Sequence, residues 1–406
     1  MSQLHGKMWL VKVAVRSWAV PGTALLLGLA FLLTGFLPSA DAWTLAQRTV
    51  PILLFVIAMT LVTEMADDAG VFRTLTGWLA AKTAGQTRSG RVILLWLLVV
   101  ALSTLSTIFL SLDTTAVLIT PVVVLLAVHA GIRPLPFALT TVWLANTASL
   151  LLPVSNLTNL LAQHQLAMTP WQFAGLLWAP AVVGVAIPAA ALWLLFRKDF
   201  AGSYRPDAVR QPADRALLII CAAVVLLLLP ALVSGIPVEY PALAAAVVLL
   251  LVFVFRRRSA LSWRMLPWRP VILTIGLFLV IATLHAHGLP ELLSGAAGEG
   301  NGFLALLQLA GLAAGSANAV NNLPAYLALE PVSGSPLRLA AVLIGVNLGP
   351  LITPWASLAT LLWHERLKSM GVRISWARFA VLGLLLVVLL LPLSVAALWL
   401  GAGAPQ

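Results

Sequence analysis

Long apolar runs dominate the chain, and four short polar stretches break them. Runs at 18–38, 50–70, 137–165, 171–196, 216–234, 237–255, 270–289, 338–364 and 378–400 approach or exceed a membrane-spanning length. A helix needs about 20 apolar residues to cross the hydrocarbon layer. Two further apolar pairs, 92–110 with 115–130 and 303–317 with 323–333, are joined by tight polar tips. They read as helical hairpins that enter and leave on one side.

The polar stretches come in two echoing pairs. The first half holds Ser111-Leu112-Asp113-Thr114-Thr115, then Asn146-Thr147-Ala148-Ser149 leading to Pro153-Val154-Ser155-Asn156. The second holds Asn318-Ala319-Val320-Asn321-Asn322-Leu323-Pro324, then Asn347-Leu348-Gly349-Pro350 leading to Thr353-Pro354. Lipid offers no hydrogen bonds, so unwound backbone at membrane depth must be buried in protein or line a cavity. Paired interrupted helices are the best sequence pointer to a transporter's solute site.

Shifting the chain by 201 positions lays Asn146 on Asn347, Leu150 on Leu351 and Pro153 on Pro354. Leu157, Leu160 and Leu161 then fall on Leu358, Leu361 and Leu362. Leucine matches are cheap in such a chain; the Asn and Pro matches carry the register. The expected fold is an all-α integral membrane protein with an inverted-topology repeat, two helical hairpins and two broken helices. The predicted division is a first half at 1–196, a linker and linking span at 197–236, and a second half at 237–406.

Composition fixes the class. Of 406 residues, 61% are hydrophobic and 9% charged, with a mean hydropathy of +1.02. Soluble domains carry about 25% charged residues, so a soluble enzyme is excluded. The net charge of +11 does not point to nucleic acid, because the basic residues sit in short loops between apolar runs. With the N-terminus in the cytoplasm, every one of the 24 Lys and Arg except Arg48 and Arg338 falls inside. That is the positive-inside pattern of a multi-pass plasma-membrane protein, and it leaves the C-terminus outside. Lys7, Lys12 and Arg16 precede the first run without a clear cleavage site, so that run reads as a membrane helix. The single cysteine, Cys221, excludes an internal disulfide and a multi-thiolate metal site.

Asp113 leads the candidates, because an intramembrane carboxylate is costly and by default functional. It suits proton carriage or contact with a cation; the plainer alternative is an N-cap for the helix that follows. Thr114 and Thr115 share its tip. Asn146, Thr147, Ser149, Ser155 and Asn156, with Thr158 and Asn159, form the first broken-helix set, where interhelical packing is the alternative role. Asn318, Asn321 and Asn322 form the second tip, which also suits a simple turn opening a helix. Asn347, Thr353 and Ser357 complete the second broken helix. Glu64, Asp67, Asp68, His285 and His287 read as polar residues near membrane interfaces. No phosphate-binding loop or nucleophile elbow occurs. No cofactor or metal is expected.

The stretches from Asp113 through Pro121, from Ala145 through Asn159, from Val320 through Pro324 and from Asn347 through Trp363 resemble the arsenite efflux permeases. The resemblance runs from about residue 50 to the C-terminus. It implies membership of the ion transporter superfamily, whose other branches include dicarboxylate, citrate and sodium–proton exchangers. The chain departs from that pattern at Asn146 and Asn347, where the family often carries acidic residues. Asp113 is the one carboxylate in the four motifs. The expectation is a secondary transporter exporting arsenite or antimonite by alternating access, with a proton or sodium as coupling ion. The chain does not power itself with ATP, which leaves room for a cytoplasmic ATPase subunit as partner. The alternatives are a sodium- or proton-coupled carboxylate or inorganic-anion carrier and, from another class, a passive channel.

Overall fold

The computed structural model describes residues 2–84, 90–204 and 214–404. Arg88 and the linker positions Arg205, Pro206, Asp207, Arg210 and Pro212 lie outside the described residues.

The described chain is helical almost throughout. α1 (Ser2–Leu33), α2 (Ser39–Asp68) and α3 (Val71–Ala84) precede the first hairpin. Its arms are α4 (Val92–Phe109) and a return formed by α5 (Leu112–Thr114), a π-helical turn (Thr115–Ile119) and α6 (Thr120–His129). α7 (Pro134–Thr147) and α8 (Leu157–Leu166) flank the first break, and α9 (Pro170–Phe196) follows. α10 (Arg215–Leu232), α11 (Glu239–Arg256), α12 (Trp268–Ala286) and α13 (Leu289–Ala297) lead to the second hairpin, α14 (Phe303–Ala319) with α15 (Asn322–Leu329). α16 (Pro336–Leu348) and α17 (Leu358–Ser369) flank the second break, before α18 (Trp376–Gly401). Among the described residues, eight helices are long and apolar enough to cross a membrane. α3 and α13 stand where the apolar pattern predicts loops; at 14 and 9 residues they are too short for a span-length reading to register. A two-residue ribbon, β1 (Gly90–Arg91) paired antiparallel with β2 (Ser203–Tyr204), ties two loops together.

Polar contacts sort the helix ends onto two faces. On one, Arg257 pairs with Asp68 at 3.2 Å, Arg256 with Asp214 at 3.0 Å and Arg133 with Asp199 at 3.5 Å, and the ribbon joins 90–91 to 203–204. On the other, Arg48 meets Glu330, Ser335 donates to Asn301 at 2.8 Å, and Arg338 donates to the carbonyls of Ala297, Gly298, Gly300 and Ser333. The first hairpin therefore has its base on the basic face and the second on the opposite face, which is the inverted repeat. The two arginines that break the positive-inside pattern are both tied into protein on that opposite face.

Within lipid, helices associate through close packing of small residues rather than hydrophobic exclusion. A Cβ on Gly345 of α16 would stand 2.3 Å from the Ala310 carbonyl oxygen of α14. The two breaks are braced alike. Gly184 of α9 lies against the Thr147 carbonyl, and Gly383 of α18 lies against the Leu351 carbonyl, where a Cβ would come within 2.6 and 1.8 Å.

Candidate functional site

Each hairpin turns on one residue with positive φ. Ser111 (φ 134°) and Asn321 (φ 153°) occupy backbone space that favours glycine. Each is held there by capping the helix it opens: the Ser111 hydroxyl accepts from the Thr114 N–H at 3.3 Å, and the Asn321 side-chain oxygen accepts from the Leu323 N–H at 3.2 Å. Asp113 is therefore not the cap. It sits in the first turn, just before the π-helical segment, a feature frequent at functional sites.

The two breaks free backbone groups that need partners. In the first, the Ser149 carbonyl accepts from the Ser155 hydroxyl and, at 2.6 Å, from the Asn159 amide. The Ser149 hydroxyl in turn donates to the Asn146 carbonyl at 2.7 Å. In the second, Asn318 performs the repair from the neighbouring hairpin. Its amide donates to the Gly349 carbonyl at 2.8 Å, and its side-chain oxygen accepts from the Thr353 N–H at 3.0 Å. The Thr353 hydroxyl closes the loop on the Asn318 carbonyl at 2.8 Å, and Asn321 donates to the Trp355 carbonyl at 2.8 Å.

Between the two breaks lies a buried amide network. Asn347 accepts from the Asn156 amide at 2.8 Å and the Thr158 hydroxyl at 3.0 Å, and donates to Asn159 at 2.7 Å. Asn146 donates to the Val142 carbonyl at 3.0 Å and reaches the Thr360 hydroxyl at 3.5 Å. Thr115 is likewise enclosed, accepting from Thr107 at 2.9 Å and donating to Ser106 at 3.0 Å.

Both tips and both breaks border one cavity of about 480 Å³. Asp113, Thr114, Asn156, Asn321, Asn322 and Ser357 line it. Asn146, Thr147, Ser149, Ser155 and Asn347 do not; they stand behind its wall as buried scaffold, as Thr115 does. Asn318 and Thr353 also lie off the wall, bonded to each other. The sequence groups all fourteen as solute or ion ligands, and the structure separates them into six that face the cavity and eight that build it.

Of the six motif residues that line the cavity, three have a side chain with no hydrogen-bond partner among the described residues: Asp113, Asn322 and Ser357. They come from the first tip, the second tip and the second break. The first residues of four helical segments, Leu112, Leu157, Asn322 and Leu358, also border the cavity. Their free N–H groups and dipoles present positive potential there.

The cavity reaches the basic face, where Glu64, Arg269 and Arg366 line it, with Thr60, Thr63 and Thr274 deeper in. The sequence reading assigns Glu64 to an interface and gives no site role to the other five. Thr60, Thr63 and Glu64 do form a polar stripe at helical spacing in the otherwise apolar stretch 50–66 of α2, a signal visible in one dimension. Arg269 and Arg366 carry no such mark, because basic residues at helix ends are the rule in this chain.

A family model described as citrate transporter matches residues 8–338. The arsenical pump membrane protein of Escherichia coli K12 is 30% identical over 432 residues, covering 97% of this chain and 98% of that protein. Its namesake in Yersinia enterocolitica is 30% identical over 382 residues, with 84% of each chain covered. A putative arsenical pump membrane protein of Bacillus subtilis is 26% identical over 403 residues. Among solved structures, the YdaH transporter of Alcanivorax borkumensis, described as having an unusual topology, shares the fold. Its TM-score is 0.59 at 17% identity, covering 93% of this chain and 89% of that one.

Proposed function

The chain belongs to the arsenical pump membrane protein family, within the wider citrate-transporter group, and is a secondary membrane carrier rather than an enzyme; we propose that it exports arsenous or antimonous acid by alternating access. The observation that carries this reading is the cavity with its three unpartnered motif side chains, Asp113, Asn322 and Ser357. Arsenous acid near neutral pH is a small uncharged triol. It needs acceptors for its O–H groups and donors for its oxygens. Asp113 supplies acceptors, while Asn322 and Ser357 supply both. No thiol is required, and Cys221 is buried on α10, away from the cavity lining.

Asp113 is the group on which we place proton coupling. An unpaired carboxylate in a low-dielectric cavity gains from either a proton or a donating solute. Competition between the two links export to proton entry. The basic face is assigned to the cytoplasm by the positive-inside rule, so the cavity as seen here is the loading state. Sodium coupling and an ATPase docked on the basic face are the alternatives to a proton.

One set of observations favours a second reading. Arg269, Arg366 and the four helix starts would welcome an organic or inorganic anion, as the citrate-transporter family match also suggests. Proteoliposome flux decides between them, using arsenite, antimonite, citrate and succinate under imposed proton and sodium gradients. Arsenite movement driven by a proton gradient is expected. Sodium-driven carboxylate uptake without metalloid flux would transfer the assignment to the anion carrier.

A further inference from the structure

α2 runs the depth of the molecule. Glu64 stands on it at the open end of the cavity, and Phe55, Val56, Met59, Thr60 and Thr63 line the wall. Sixteen residues earlier, about 24 Å along the helix, Arg48 stands at the closed end. Its guanidinium grips both oxygens of Glu330, with the Nη1 to Oε2 bond at 2.9 Å, and also donates to the Leu161 carbonyl at 3.2 Å. Tyr326, fully buried, donates to the same carboxylate at 2.8 Å. Glu330 is 6% exposed.

These partners belong to three different parts. Arg48 is on α2, Glu330 ends the second hairpin's return helix α15, and Leu161 is on α8, beyond the first break. Arg338 offers a contrast. Its acceptors, Ser333, Gly300, Ala297 and Gly298, all belong to the second hairpin and the segment that leads into it. It pins the second half to itself. Arg48 instead ties the first half to the second, on the face where the cavity is closed. The Nε of Arg48 is also buried without a partner, so the clasp is not fully satisfied.

We propose that Arg48, Glu330 and Tyr326 form a releasable latch that closes the cavity against the face opposite the basic one. These residues touch no solute. They set the balance between the two access states, and the proposal rests on the alternating-access reading above. Apolar packing could seal that end as well, but it carries no directional partners. A bidentate pair holds a single geometry, and its two charges are hydrated once water enters the opened crevice.

The test places a reporter cysteine at Thr60, on the cavity wall, in a Cys221→Ala background. A membrane-impermeant maleimide is applied from each face in turn. In the otherwise unaltered protein, labelling from both faces is expected during cycling; labelling from the basic face alone would overturn alternating access itself. Glu330→Gln should raise the labelling rate from the opposite face about tenfold relative to the basic face, the size of one lost charge-assisted bond. Tyr326→Phe, which keeps the ion pair, should move the ratio the same way by a smaller factor. Arg338→Lys should lower the unfolding temperature and leave the ratio alone. If the reporter cycles but neither Glu330→Gln nor Tyr326→Phe changes the ratio, the trio is a static pin. Should Glu330→Gln fail to fold, Tyr326→Phe decides the matter alone.

Discussion

Asn347 donates its amide to the side-chain oxygen of Asn159 at 2.7 Å, across the junction between the two halves. The 201-residue register maps this pair onto Asn146 and Thr360, and those two residues do meet, at 3.5 Å. Each half thus inserts the last turn of its first broken-helix segment against the second segment of the other. Substitution tests the asymmetry. Asn347→Leu strips a partner from Asn156, Thr158 and Asn159, and at about 1–3 kcal/mol per buried orphan the loss should reach about 3 kcal/mol or more. Asn146→Leu breaks one long contact and one local bond, and should cost about 1 kcal/mol. Thermal unfolding in detergent reads both; equal losses would refute the difference.

The helix opened by the first hairpin tip separates capping from chemistry. Ser111→Ala removes the cap and should cost about 1 kcal/mol. Asp113→Asn and Asp113→Ala remove no cap and should leave the unfolding temperature unchanged or higher, because an unpaired buried charge is lost. Both Asp113 variants should lose gradient-driven flux. A fully active, still gradient-coupled Asp113→Asn protein would remove the coupling role and favour a uniporter or channel.

Close backbone approach at the second break gives a sharp steric test. Gly383→Ala sets a Cβ 1.8 Å from the Leu351 carbonyl oxygen and should destabilise by about 3 kcal/mol or more, since backbone cannot step aside cheaply. Gly175→Ala, on α9, meets nothing within 4 Å and should be neutral or up to about 1 kcal/mol stabilising. The pair is compared by expression level and unfolding temperature.

Topology is read by labelling. A cysteine introduced at Asp207 should react only from the cytoplasm, and one at Glu299 only from outside. The motive is the basic-residue distribution, in which Arg48 and Arg338 alone fall outside. Reaction of both from one side would contradict the orientation.

Asp214 gives a pH signature on the basic face. Its hydrogen bonds from Arg256, at 3.0 Å, and from the Leu217 N–H that it caps, at 2.9 Å, hold its carboxyl below the usual range. A depressed folded-state pKa stabilises fully above the unfolded value, about 3.9, and the stabilisation is lost as pH falls from there through the lower folded-state value. The unfolding temperatures of the parent and Asp214→Asn should therefore differ near neutrality and converge in acid. A gap that does not narrow at all as the pH is taken down from neutrality to well below the unfolded value would count against the linkage.

The sequence by itself determined the membrane class, most of the spans, the sorting of helix ends onto two faces, and the repeat. These are one-dimensional properties: lipid imposes an apolar length on every crossing and tolerates polar backbone in few places. The four motifs stand out for the same reason. Tertiary structure decided which motif residues face the cavity. Asn146 and Asn322 look alike in the chain, yet Asn146 is absorbed into the bracing between halves and Asn322 is left unpartnered at the cavity. Whether an amide is free depends on what a distant segment brings to it. Glu64 and Arg366 joined the cavity, and Arg48 found Glu330, through packing across hundreds of positions. Hydrogen bonds are satisfied by neighbours in space, and a linear pattern does not record who those neighbours are.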